Sequence, residues 1–297
     1  LDAEQLAYNF FLLGFALTGV SFICYVAIPL WPRVAYRAAA TEAGSLTVAT
    51  PAEPPRWLAQ AAIACTWLAF AALTASLAAR WVAAGHPPYA NMWEYTVGFG
   101  WGVLLFAIIF DLRTHQRAIV ASLLPVALLL FGVSLAFFPS DVRPLVPALQ
   151  SNRILGAHVA MMILSYAAFS VSFGAAVLYL AQGDGGQPRF AWLPARSTLD
   201  DIGYRSVLIG FPMLAAGIGL GAWWASEAWT RYWGWDPKET SALVTWLIYA
   251  GYLHARGLRG WRGNRAAWLL ILGFAAVLFT YFAVNLWISG LHSYSGV

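Results

Sequence analysis

Residues 118–138 read AIVASLLPVALLLFGVSLAFF, 21 positions without a charged side chain, interrupted only by Pro125, one glycine and two serines. At about 1.5 Å per residue, some 20 apolar residues match the hydrocarbon thickness of a bilayer, so this run predicts a membrane-spanning helix. Working outward, the pattern recurs at 6–30, 57–79, 92–110, 154–181, 204–225, 240–256 and 266–288, giving eight runs in all. The composition agrees: 61% of the 297 residues are hydrophobic and 10% are charged. A soluble domain of this size carries roughly 25% charged residues, and a water-facing surface cannot be built from so few. The expected fold is all-α: a polytopic transmembrane helical bundle of about eight spans, forming a single integral membrane domain over residues 1–297. No internal repeat and no separate soluble domain is visible. The first run is too long for a signal h-region and lacks a basic flank, so it reads as a retained helix.

The basic residues orient the bundle. One side collects Arg33, Arg37, Arg56, Arg113, Arg117, Arg189, Arg196, Arg205, Arg256, Arg259, Arg262 and Arg265. The other holds Arg80, Arg143, Arg153, Arg231 and Lys238. The positive-inside rule makes the first side cytoplasmic and puts both termini outside, which requires an even number of spans. The polar stretches 40–56 and 183–203 are then cytoplasmic linkers. The segments 80–91, 139–153, 223–239 and 289–297 face outward.

Nothing in this arrangement suits nucleic acid. Cys24 and Cys65 both sit within apolar runs, and no C-x-x-C is present, so a dithiol enzyme or a zinc protein is excluded.

The outer segment 223–239 carries the most information. It begins WWASEAWTRYWGWDPKE and places Trp223, Trp224, Trp229, Tyr232, Trp233 and Trp235 within 13 positions. An aromatic interface belt explains one or two of these; six in a segment that is not itself a span suit a flat apolar ligand. Asp236, Pro237 and Glu239 have the pattern of a helix start, with an N-cap, a proline at the first position and a capping-box acid. Asp236 therefore launches the seventh helix, touches a ligand, or does both.

Five histidines are distributed unevenly. His115 lies in a cytoplasmic loop. His158 stands at the outer end of the fifth helix and His292 just past the eighth, so two imidazoles from separate helices reach one depth beside the tryptophans. Such a pair can ligate one haem iron from opposite faces. His254 is about 27 Å along the seventh helix from Asp236 and cannot join them; it reads either as a cytoplasmic interface residue or as half of a second site completed from elsewhere. His86, in GHPPYANMWEY, is either structural or an accessory to the outer site. Asn91 and Glu94 of the same stretch outline a capping box. The outer cations are candidates for the two haem propionates.

The run WTRYWGWDPKETSALVTWLIYAGYLHAR resembles the tryptophan-rich signature of the CcsA/ResC family of cytochrome c biogenesis proteins. GHPPYANMWEY resembles that family's first outer-loop motif, and LGAHVAMMILSYAAF and LHSY resemble the segments carrying its flanking histidines; together the pieces cover residues 86–294. The resemblance implies that His158 and His292 ligate haem b on the outer face. It also implies that His254 ligates a haem within the membrane, with the second ligand from a partner subunit, CcsB (ResB or Ccs1). Haem would then be presented to the C-x-x-C-H thiols of apocytochrome c, kept reduced by a thioredoxin-like protein, at a bacterial plasma membrane. If this is enzymatic at all, it is a holocytochrome c synthase working by positioning. Thr230 stands where the family has glycine, and Ser241 where an aromatic is common. Competing readings are a CcmC- or CcmF-type haem delivery protein, a b-haem electron-transfer subunit, and a solute transporter without a cofactor.

Overall fold

A computed structural model describes residues 2–43, 53–146, 149–150, 153–183 and 189–292. Among these there is no strand. Eight long helices follow one another: α1 (Ala3–Ala43), α2 (Arg56–Ala84), α3 (Met92–Thr114), α4 (Arg117–Phe137), α5 (Arg153–Ala181), α6 (Arg196–Trp229), α7 (Pro237–Arg259) and α8 (Asn264–Leu286). Seven are long and apolar enough to cross a membrane, which makes this a multi-pass membrane protein. The exception is α7, whose composition is mixed. Its contacts still carry it along the bundle, because Asp236 at its start meets His292, while Arg256 near its end pairs with Asp200 near the start of α6. At 23 residues it is about 34 Å long, enough to cross.

Each helix packs chiefly on its sequence neighbour, α1 on α2, α3 on α4 and α5 on α6, while α5 also bridges to α3, α4 and α8. Most buried side chains merge into one core running from Phe11 through Phe131 and Phe169 to Tyr281, and Tyr89, Leu149, Leu155 and Trp224 form a second, smaller cluster. Glu4 of α1 accepts the N–H of Val142 in the segment after α4, and Arg80 at the end of α2 bonds Glu94 at the start of α3 at 2.7 Å. These elements, with the start of α5 and the end of α8, share one end of the bundle.

Several boundaries depart from the hydropathy runs. Helix α1 continues through Ala43, so residues 40–43 of the expected first linker are helical, and residues 44–52 lie outside the described residues. Helix α6 starts at Arg196, inside the expected second linker, of which residues 184–188 lie outside. This first stretch of α6 is amphipathic rather than apolar. Leu199, Ile202 and Gly203 are buried, while Asp201 pairs with Arg205 one turn on at 2.8 Å. The 223–239 segment is likewise mostly helical: α6 runs to Trp229, and only 230–236 connects it to α7. Residues 147–148, 151–152 and 293–297 of the other outward segments also lie outside.

Candidate functional site

The site forms where α5 begins, α6 ends, α7 begins and α8 runs out. Helix α6 supplies the bed. Added Cβ atoms at Gly210, Gly217 and Gly221 would come within 2.8 Å of Phe169, 2.7 Å of Met162 and 2.7 Å of His158, all on α5. Glycine is required there because α5 side chains press onto the α6 backbone. The His158 ring lies on Gly221, and its Nδ1 is 2.7 Å from the Gly217 carbonyl oxygen. A carbonyl only accepts, so Nδ1 carries the proton and Nε2 keeps the lone pair.

His292 is fixed in the same way. Its Nδ1 donates to Asp236 Oδ2 at 2.8 Å, and the Leu291 N–H donates to Asp236 Oδ1 at 2.6 Å. Asp236 also accepts the Lys238 N–H at 3.0 Å, and Glu239 accepts the Asp236 N–H at 3.1 Å, closing a capping box. The aspartate thus starts α7 and holds the histidine at once. Gly290 permits this approach, since a Cβ there would sit 2.6 Å from Asp236 Oδ1. Burial alone would raise the Asp236 carboxyl. Hydrogen bonds from His292, Leu291 and Lys238 outweigh it and hold the carboxyl at about 2. Burial pushes His292 below its ordinary value, Asp236 opposes that shift, and the nearby Lys238 adds to it. At neutral pH the pair is therefore a carboxylate and a neutral imidazole.

Both histidines line two adjoining cavities, which they share with Met162 and Lys238. Trp229 and Trp233 wall the first, and Trp224 the second. Trp229 stands edge-on to Trp224 at 4.7 Å and to His292 at 5.0 Å. The expected six-residue aromatic shelf is therefore divided. Trp223 (54% exposed), Tyr232 (67%) and Trp235 (70%) face outward and line neither cavity. For Trp223 the physical reason is the helical course of 223–229, which turns it and Trp224 to different sides, whereas Tyr232 and Trp235 lie on the connection 230–236.

His86 does not reach the cavities; its ring nitrogens lie 2.9 Å from the Pro87 carbonyl and 3.4 Å from that of Arg143. His254 is exposed near the far end of α7. Asn91 caps α3 by accepting the Glu94 N–H at 3.0 Å, but Glu94 reaches back to the Ala90 N–H rather than closing the box on Asn91. Arg80 is consumed structurally, bonding Glu94 and the Ser140 and Asp141 carbonyls and lying over the Trp93 ring.

Sequence reasoning did not single out Met162, Gly217, Gly221, Asn285 or, from among the outer cations, Lys238. The spacing of Gly217 and Gly221 by one helical turn was the available signal for the first three.

The donor set fits a haem: two neutral imidazoles on separate elements, each with Nδ1 anchored as metal-ligating histidines generally are, flanked by indoles and one ammonium. Fold and site together define a multi-pass helical membrane protein with a two-histidine, tryptophan-walled pocket at one end of the bundle. The chain belongs to the cytochrome c assembly protein family, whose model matches residues 89–292. It is 39% identical over 252 residues to a cytochrome c biogenesis protein CcsA of Guillardia theta, covering 77% of this chain and 83% of that one. It is 35% identical over 300 residues to the CcsA of a Synechocystis strain, covering 81% and 90%. Among solved structures it resembles the cytochrome c haem lyase CcmF with a TM-score of 0.66 at 20% identity, over 95% of this chain and 47% of that one; this likeness concerns the fold alone.

Proposed function

We propose that this chain holds haem b between His158 and His292 and presents it for covalent attachment to apocytochrome c. The observation that carries the reading is the convergence of both imidazoles on the same two cavities, each with Nδ1 committed to a backbone carbonyl or a carboxylate. Bound haem would supply vinyl groups able to form thioethers with the thiols of a C-x-x-C-H motif. The protein's own part is positional. His158 and His292 bind and orient, Asp236 fixes the His292 tautomer, and Trp224, Trp229 and Trp233 exclude water from the pocket walls. Holding one reactant in a fixed pose raises the rate of its bimolecular reaction without acid–base help.

The arginine distribution supports an extracytoplasmic site, for which we propose a bacterial plasma membrane. The exposure of His254 supports a second, intramembrane haem whose other ligand comes from a CcsB-type partner subunit. A thioredoxin-like reductant would keep the substrate thiols free. Identity to CcsA relatives over most of both chains favours this reading over a CcmF-type delivery role, which rests on fold.

The test is the absorption spectrum of the purified full chain. A Soret band is expected in the wild type, and loss of the outer-site haem in His158→Ala and in His292→Ala. Full haem content and intact cytochrome c maturation in both variants would overturn the proposal.

A further inference from the structure

One charged group at the site has no place in the ligation scheme. Lys238 is the single lysine among 17 basic residues; the other 16 are arginines. It occupies the second position of α7, directly after Pro237, where the helix dipole disfavours a cation. It lines both cavities together with the two histidines.

Its ammonium has three donors, and among the described residues it uses one, to Asn285 Oδ1 at 2.7 Å. Asn285 is held for this purpose, because its Nδ2 donates to the Tyr281 carbonyl at 2.7 Å and rests 3.4 Å from Met92 Sδ, which turns the amide oxygen toward Lys238. No carboxylate forms a salt bridge with Lys238 among the described residues. The obvious one is engaged: Asp236 Oδ1 takes the Leu291 N–H, and Oδ2 takes His292 and the Lys238 backbone N–H. Glu239 Oε2 is taken by the backbone N–H groups of Gly234 and Asp236.

A cation placed among indoles and tyrosines without a direct salt bridge costs free energy that an incoming anion would offset. We propose that Lys238 is the carboxylate-recognising residue of this site, pairing its ammonium with a propionate of the porphyrin. The propionate-bearing edge is then the one turned to Lys238 and Asn285, and the opposite edge is turned away from them. Lys238 is thus an orienting residue. The proposal rests on the haem reading above.

The test uses haem-stripped full-length protein in detergent, titrated with iron protoporphyrin IX and with its dimethyl ester, whose propionates are uncharged. Binding is read from the Soret band. The wild type is expected to favour the diacid by about tenfold or more, the range of one hydrogen bond to a charged group. Lys238→Gln is expected to erase the preference by weakening the diacid alone, while Lys238→Arg retains part of it. Equal binding of both porphyrins by the wild type, or an undiminished preference in Lys238→Gln, would overturn the Lys238 assignment and leave the haem site standing. If the wild type binds neither porphyrin, the haem reading falls and takes this one with it. The acid–ester comparison in the wild type needs no variant, so poor folding of Lys238→Gln does not spare the proposal.

Discussion

A histidine that donates from Nδ1 offers Nε2 as its lone pair, and the identity of the acceptor sets how strongly. His158 leans on a neutral carbonyl and His292 on a carboxylate. The carboxylate raises ligand basicity, so Asp236→Asn should weaken haem retention by about 10- to 100-fold, as removal of such partners generally does. A haem titration of the purified variant measures it. In the haem-free protein, His292 should titrate below the ordinary histidine value. Asp236→Asn should push it lower still, because the carboxylate is the group opposing burial; a rise in the variant, followed by NMR, would contradict the scheme. The sign for stability follows from the depressed Asp236 carboxyl. Its contribution is complete above about pH 4, the unfolded value, and is lost as pH falls through about 2. The two histidines were legible in the sequence as a pair at one depth on separate helices, beside the tryptophans. Their anchors were not: one is a backbone carbonyl, and the other lies 56 residues from its histidine.

At the scale of elements, α6 decides the site. His158 cannot yield to a methyl group at Gly221, 2.7 Å from its Cε1, without losing its bond to Gly217. Gly221→Ala should therefore cost about 1–3 kcal/mol and displace haem. Gly219→Ala, whose added Cβ meets nothing within 4 Å, should leave thermal stability and haem content at or above wild type. Where α6 ends, Thr230 takes a left-handed conformation with φ 59°, the backbone shape that glycine adopts without cost. The departure from the family's glycine noted in the sequence therefore falls on a strained cap. Thr230→Gly should raise the melting temperature, by up to about 1 kcal/mol of stability. Long uniform runs such as 118–138 announced their helices plainly. Helix α7 was readable as the run 240–256 although its apolar residues share the helix with polar ones, and its start was readable from Asp236, Pro237 and Glu239. The extension of α6 back to Arg196 escaped hydropathy because pairing and amphipathic packing, not apolar length, make that stretch helical.

For the whole molecule, the two histidine regions differ in what surrounds them. His158 and His292 are enclosed by four helices of one chain, whereas His254 lies on an outward stripe of α7 with Val244, Leu247, Gly251 and Leu258, spaced three and four residues apart. A stripe of that spacing is one helix face, and it covers nothing among the described residues. An imidazole there meets lipid or a second protein, and a lone ligand holds iron poorly when the other axial position is open to the bilayer. The isolated chain should therefore carry one haem, abolished by His158→Ala or His292→Ala and indifferent to His254→Ala. Assembled with a CcsB-type partner, the complex should gain a second haem that His254→Ala removes. Haem-to-protein stoichiometry of the purified chain and of the complex, across the three variants, is the measurement. A drop in haem on His254→Ala in the isolated chain would mean that the exposed stripe closes on a ligand of its own, and the division into an enclosed site and a shared one would have to be given up.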